Sequence, residues 1–517
     1  MGTNYQKSLY RDYSELITKY DKVCDSNRVL INRNRILEKE AAKLRKQNAL
    51  KEARIKDIEA QNAALKNEIA HLIALQNING TNSGIPTSKT PINKKKRIPN
   101  TRPKTTKHIG GQKGHKKHRL EPLHEDEITE NESHELSKCP ECGGNLKQTE
   151  GETHKDEIEY EFVVRKIRHH FPHYECEKCG KKIRSQIPLT LRNDVQYGSR
   201  VKALALCLGN EGNVSMNKIS HIIYGLSDRE IKLSEGFIAK LQRWAAGRLI
   251  GFITDIKKAI IERKLLYWDD TVIMINKRRG CLRFYGDERL ALYTAHEKKN
   301  KEGIDEDGIL KLLLPNTSVM HDHNRVNYNK DYSFSNVECN VHLMRDLQKV
   351  TDNLGHKWSK EMKELLTGLD HERNEAIARG EKFFSDEKVE EFNEKFERLM
   401  VLATEESEAE AGRYYTREEN ALITRIYDFK DNYLAWIMDF DIPFSNNLSE
   451  RALRGVKSKQ KISGQFQNEE MAKCYATIRS YIETCHRNGI DAVYALERLC
   501  KDNPVSIDEI LSRNADL

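Results

Sequence analysis

From residue 9 to residue 76, a mostly apolar seam advances in alternating steps of three and four residues without a break in register. Position d can be set on Leu9 and every seventh residue after it, through Leu16, Leu30, Leu44 and Leu65 to Leu72. Nine of the ten d positions are then apolar, Lys51 being the exception. The a positions run from Tyr13 to Gln76 and include Asn27, Asn34, Asn48 and Asn62. A seam of this length asks for a partner helix, and asparagines at a set register and favour a parallel dimer at some cost in stability. The pattern predicts a coiled-coil dimerisation helix over residues 1–78, with a homodimer built through it. A helix that merely packs on its own body needs far fewer heptads.

The periodicity then changes several times. "NGTNSGIPTSKTPI" is a string of turn-forming residues, and 79–125 reads as a flexible arm. Within 126–194, "HKDEIEYEFVVRKIRHHFPHYEC" alternates as strands do. From 195 to 262, "SRVKALALCLGNEG", "MNKISHIIYGL" and "SEGFIAKLQRWAAGRLIGFITDIKKAIIE" carry apolar positions at helical spacing. Short helices with Gly and Ser breaks fit a DNA-binding helix-turn-helix and a plain helical connector equally. In 263–346, "KLLYWDD" is an apolar strand ending in acids, "CLRFYGDERLALYTAHE" reads as extended segments turning near Gly286, and "TSVMHDH" is a second apolar strand ending in an acid. "GILKLLLPN" between them reads as a short amphipathic helix. Residues 347–435 are charged and helical in pattern, with "EESEAEAG" as a solvated stretch, and 436–517 closes the chain with further helices. The sum is a multidomain α+β protein.

Charge matters through its distribution. The net charge is +8 over 517 residues, yet residues 93–120 hold eleven Lys and Arg and no acid. Lys94, Lys95, Lys96, Arg97, Lys113, Lys116 and Lys117 belong to this segment. It has too few apolar residues to fold alone, and against phosphate it releases counterions, which makes DNA the expected partner. No run approaches the roughly 18 apolar residues of a membrane span, and the N-terminus lacks a secretory pattern, so a cytoplasmic protein away from the membrane is expected. The cysteines number eleven, and four of them form two CxxC pairs. That suits a reducing compartment and one metal site.

"CPECGG" places Cys139 and Cys142 on one turn, and "CEKCGKK" places Cys176 and Cys179 on another. Two such knuckles complete a tetrahedral shell of four thiolates, a structural Zn²⁺ site of the zinc-ribbon kind. The acids ending two apolar strands, Asp269 or Asp270 and Asp322, form a nuclease-like arrangement suited to Mg²⁺. A two-ion site needs acids converging from several elements, with ions about 4 Å apart. Glu450 is the candidate third acid. It opens a helix in "PFSNNLSERALRGVKSKQKISG", where Arg451, Arg454, Lys457, Lys459 and Lys461 follow as candidate phosphate contacts. The plain reading of the same residues is a solvated helix whose i,i+4 pair Glu450–Arg454 contributes a few tenths of a kcal/mol. "ECNVHLMRDL" sets Cys339, His342 and Arg345 at helical spacing. One Cys and one His leave a metal site incomplete, so packing or phosphate contact is the reading there.

These landmarks in this order resemble the insertion-sequence-66 (IS66) family of bacterial DDE transposases. The resemblance rests on the heptads, "NSGIPTSKTP" with "GGQKGH", the paired CxxC knuckles, "WDDT", "HDHN", "CNVHLMRDL" and "NNLSERALRGVKSKQKISG". Three positions depart from the commonest family pattern: Asp270 stands where Glu is usual, Ser445 where many members carry Asp, and Asp346 where Glu is usual. The resemblance implies an RNase H-like core split by an all-helical insertion, with Asp269, Asp322 and Glu450 as catalytic residues and ligands of Mg²⁺ (or Mn²⁺). It also implies hydrolysis at the element's ends followed by 3′-hydroxyl strand transfer. Terminal inverted repeats and target DNA are then partners, with small accessory proteins of the same element, in the bacterial cytoplasm at the nucleoid. A competing class is a catalytically inactive zinc-ribbon DNA-binding protein or regulator derived from a transposase, and the three acids discriminate the two.

Overall fold

The protein is described from a computed structural model covering residues 2–79, 82, 122–147, 153–188, 191, 193–410, 412 and 414–512. The basic residues Lys94, Lys95, Lys96, Arg97, Lys113, Lys116 and Lys117 lie outside the described residues.

The chain opens with one unbroken helix, α1 (Gly2–Asn77). After a short hairpin of β1 (His173–Glu175) and β2 (Lys182–Arg184) come four helices: α2 (Ser199–Asn210), α3 (Met216–Leu226), α4 (Glu235–Arg248) and α5 (Ile250–Ile261). The sheet segment follows as β3 (Leu265–Ile275), β4 (Arg278–Gly286), β5 (Ala291–His296), α6 (Lys301–Asp307), β6 (Ser318–His321) and β7 (Ser335–Glu338). Helices then run to the end: α7 (Asn340–Leu354), α8 (Lys357–Ala378), α9 (Asp386–Ala409), α10 (Thr416–Asp428), α11 (Lys430–Met438), α12 (Asn447–Ser463), α13 (Glu469–Arg487), α14 (Ala492–Cys500) and α15 (Ile507–Ser512). Among the described residues no helix is long and apolar enough to cross a membrane.

Two compact units result. One gathers α1 with residues 344–368 and 386–429. Along α1 the heptad residues face solvent, as with Leu16 at 65% and Leu44 at 58% exposed. The remaining helices of this unit bury Trp358, Leu366, Phe396 and Ile426. Glu419, fully buried, accepts from Trp358 Nε1 at 2.7 Å and meets His356 Nδ1 at 2.7 Å, so its charge is compensated.

The other unit holds a five-stranded sheet in the order β5-β4-β3-β6-β7. β3, β4 and β5 form an antiparallel meander, while β6 and β7 pair parallel to β3 and to each other. Asn276 and Lys277, both at positive φ (44° and 64°), make the two-residue turn between β3 and β4, the handedness that matches strand twist. α13 covers the β5 edge: the N–H groups of Ala291 and Tyr293 donate to Thr484 Oγ1 (3.1 Å) and Ser480 Oγ (2.8 Å). That satisfies donors an open edge would leave free. Helices α2–α5 confirm the helical spacing read over 195–262, and Ser234 starts α4 by accepting from the Phe237 N–H at 3.1 Å.

Three local expectations need correction. The apolar strand at "KLLYWDD" does not end at its acids but continues to Ile275, because β4 pairs with it over nine residues. Among the described residues, the alternating segment before Cys176 forms a ladder only at His173–Glu175; upstream, Phe162 and Val164 pack against the core. "GILKLLLPN" yields a single 3-10 turn at Leu310–Leu312.

Candidate active site

The parallel register sets the site. Leu265 pairs with Ser318 and Tyr267 with Met320. Two residues further on each strand, Asp269 and Asp322 therefore come level with each other. Asp269 lies mid-strand and Asp322 directly after β6. Successive strand residues point to opposite faces, which separates the two adjacent aspartates. Asp270 is held by Lys299, whose Nζ donates to Oδ1 at 2.6 Å. Asp269 instead lies in reach of Asp322's charge. Its carboxyl is pushed up to about 8, by burial first and then by Asp322, against a partial lowering from the N–H of Asp270 at 2.7 Å. Two carboxylates crowded in a partly dry place favour a hard cation between them.

A second layer fixes the loop that carries Asp322. His321 places Nε2 2.7 Å from Asn336 Oδ1, and His323 Nδ1 lies 2.8 Å from Glu338 Oε1. The Tyr328 hydroxyl donates to the same buried Glu338 oxygen. On the other side, His342 Nδ1 stands 3.0 Å from Asp322 Oδ1. Burial alone would lower the His342 pKa, but its hydrogen bonds to Asp322 and Cys339 outweigh this and raise it to about 11. Among the described residues, Asp322, Cys339 and His342 form a group whose ligand atoms all lie within 4.8 Å of one another. Sequence spacing connected Cys339 with His342; Asp322, from another element, was the member it lacked.

Asn446 ties the neighbouring elements together. It is fully buried, its Nδ2 donates to the Trp268 carbonyl at 3.0 Å, and its N–H donates to Cys339 Sγ at 3.2 Å. Asn340 N–H donates to the Phe444 carbonyl at 3.1 Å. From this anchor α12 runs beside β3. Its far end turns at Gly464 (φ 73°), and Phe466 N–H donates to the Met274 carbonyl at 2.8 Å. Leu448, Ala452, Leu453 and Val456 supply the buried face. α12 thus starts beside Trp268 and ends beside Ile275. Glu450, four residues beyond Asn446, is about 6 Å along the axis, about as far as two strand residues. Its N–H donates to the Asn446 carbonyl at 3.2 Å, and its side chain is half-buried.

The cations after Glu450 divide. Arg451, Arg454, Lys457 and Lys461 are exposed. Lys459 differs from the phosphate-contact reading: it is partly buried and donates to the carbonyls of Gly209 (3.2 Å) and Val214 (3.5 Å), and burial lowers its pKa. Its long stem follows apolar surface into the protein.

Each CxxC forms its own tight turn. Gly143 (φ 74°) donates its N–H to the Cys139 carbonyl and Gly180 (φ 66°) to that of Cys176, so the glycine after each pair takes the left-handed conformation the turn requires. Backbone N–H groups aimed at the sulfurs, from Cys142 and from Cys179, lower the pKa of Cys139 and Cys176. That favours the thiolate a metal needs. The two pairs are not gathered into one shell of ligand atoms within 4.8 Å.

The profile of the family described as Transposase IS66 family matches residues 195–474, a span from α2 into α13. A search of curated proteins finds no match.

Proposed function

The chain belongs to the IS66 transposase family, and from that premise we infer that it cuts and joins DNA at insertion-sequence ends through Asp269, Asp322 and Glu450. The observation that carries this reading is the register of β3 with β6 and the course of α12 along β3. The register sets Asp269 level with Asp322, and the course of α12 supports a reading in which Glu450 joins them. The sheet order, with its antiparallel meander and two parallel strands, supports an RNase H-like core. Residues 347–435 are then the all-helical insertion.

The three acids suit Mg²⁺ or Mn²⁺, because the donors are carboxylates and Asp269 beside Asp322 is a poor place for uncompensated charge. Such ions, when bound, supply Lewis-acid stabilisation of entering and leaving oxygens at phosphorus. The chain's own residues do the positioning. Asp269 rather than Asp270 is the metal-facing carboxylate, since Lys299 already neutralises Asp270. Asn446 fixes the start of α12, and with it the reach of Glu450. Arg451, Arg454, Lys457 and Lys461 offer exposed cations to the DNA backbone on the helix that carries the acid. In the first reaction a water oxygen displaces the 3′-oxygen of the element's terminal nucleotide. In the second that 3′-hydroxyl attacks a target phosphodiester and displaces another 3′-oxygen.

The remaining parts serve this chemistry. The solvent-facing heptads of α1 support a parallel dimer that brings two ends and two active sites together. The paired knuckles support a four-cysteine Zn²⁺ ribbon (Cys139, Cys142, Cys176, Cys179), which with α2–α5 would read terminal repeats. The arm over 79–125 would add nonspecific affinity. Accessory proteins of the element would act on this assembly.

The test is a strand-transfer assay on the ends of the element carrying the gene, with Mg²⁺ or Mn²⁺, comparing wild type with Glu450→Gln. Loss of cutting and joining with DNA binding retained supports the assignment. Equal activity in both removes Glu450 from the site. Binding without cutting in the wild type leaves a DNA-binding regulator.

A further inference from the structure

The group at Asp322, Cys339 and His342 has a composition that magnesium does not call for. A hard ion is served by oxygens alone, whereas a thiolate and an imidazole select a softer ion such as Zn²⁺. Two places in the fold supply the three residues, one for Asp322 and one for Cys339 with His342. Asp322 follows β6, Cys339 is the corner between β7 and α7, and His342 lies in the first turn of α7. Their convergence is therefore a tertiary feature and not the by-product of one helix face.

The geometry is close to a metal shell already. All three ligand atoms lie within 4.8 Å of one another, and the His342–Asp322 pair stands at 3.0 Å. A tetrahedral zinc with bonds of 2.0–2.3 Å spaces its ligands about 3.6 Å apart, so the closest pair must open slightly and the widest must close by at most about 1.2 Å. Cys339 is 1% exposed, and its sulfur accepts the Asn446 N–H at 3.2 Å. A hydrogen bond of that kind stabilises a thiolate where solvent cannot. The loop that carries Asp322 is pinned by Asn336 and Glu338 through His321 and His323, so its backbone is fixed and only rotation of the carboxylate chooses between the two sites.

We propose that Asp322, Cys339 and His342 form a second, three-ligand site for Zn²⁺, and that zinc bound there draws Asp322 away from the magnesium site and so restrains the enzyme. The restraint rests on the catalytic reading above, because it needs Asp322 to be a ligand of the catalytic ion. The zinc site itself does not. Three protein ligands leave a fourth position open for water, unlike a closed structural site. A shared carboxylate makes the coupling reciprocal: magnesium weakens zinc by the factor that zinc weakens magnesium.

Cobalt substitution tests the site on the full chain. Co²⁺ is titrated into reduced protein stripped of its zinc by a chelator, while thiolate-to-cobalt charge transfer and the visible ligand-field bands are recorded. The expected result is two sets of bands, a strong one from the four-cysteine knuckles and a weaker one from a single thiolate. Cys339→Ser and His342→Ala should lose the weaker set and keep the strong one, and Cys142→Ser should do the reverse. A Cys339→Ser spectrum that superimposes on the wild type, with circular dichroism unchanged, overturns the site. Should Cys339→Ser not fold, His342→Ala and Asp322→Asn carry the comparison, since both retain the thiol; bands unchanged in both have the same meaning. The coupling is read by calorimetric titration of Zn²⁺ with and without saturating Mg²⁺. An apparent Kd raised by roughly tenfold or more is expected, and an unchanged Kd refutes the restraint. Neither measurement involves DNA, so each can fail or succeed independently of the strand-transfer result for Glu450→Gln.

Discussion

Replacing Asn446 with alanine is the sharpest local perturbation of the proposed site. The residue is fully buried, and its side chain makes the bond from Nδ2 to the Trp268 carbonyl at 3.0 Å, one residue before Asp269. The substitution removes that donor and opens a void of amide size, while the backbone N–H that donates to Cys339 Sγ stays in place. Leaving a buried carbonyl short of its donor costs about 1–3 kcal/mol, and the small void adds to it, so a loss of about 2–3 kcal/mol is expected. The effect is local to the start of α12, where Glu450 stands one turn further on. The assay is paired: urea unfolding followed by circular dichroism for stability, and strand transfer for function. Stability should fall by the stated amount and strand transfer by at least about tenfold, the factor that corresponds to 1.4 kcal/mol at the positioned acid. DNA binding should remain, because the exposed cations of α12 are untouched. A variant within about 0.5 kcal/mol of wild type and fully active would refute the claim that this residue anchors α12.

Further predictions follow from other buried features. Asp307, 2% exposed, accepts from Arg283 Nη1 at 3.1 Å and the Tyr285 hydroxyl at 2.8 Å. Asp307→Ala should cost about 3–5 kcal/mol in chemical denaturation by leaving the Arg283 charge unpaired. In α1, the double substitution Leu30→Asp with Leu37→Asp places charge on two successive d positions that are 56% and 53% exposed in the single chain. Sedimentation should then report a monomer where the wild type is a dimer. Metal analysis of dialysed protein should find about one retained zinc per chain, absent in Cys142→Ser.

Much of this was legible in the sequence, and the gaps have physical causes. The heptads of α1 and the helical spacing of α2–α5 are local signals, and both helical readings hold. The glycines after each CxxC were readable because a left-handed turn leaves few alternatives, and both adopt it. Strand limits were less visible. Asp270 looks like a terminus in sequence, but pairing with Lys299 lets it sit inside β3. β7, "SNVE", carries too little apolar alternation to announce itself and is a strand because β6 lies beside it. Of the proposed site, the candidate acids could be named one by one from their settings. What unites Asp322 with Cys339 and His342, or turns Lys459 away from solvent, is tertiary and leaves no spacing to read.

A meeting of three carboxylates where β3 leaves its pairing with β6 can be probed directly. With Fe²⁺ replacing Mg²⁺, ascorbate and peroxide generate hydroxyl radicals at the bound ion, and mass spectrometry of the fragments reports which backbone segments lie beside it. The account predicts cuts clustered near residues 269, 322 and 450, all suppressed by excess Mg²⁺. Cuts near 269 and 322 with the segment around 450 intact would contradict it.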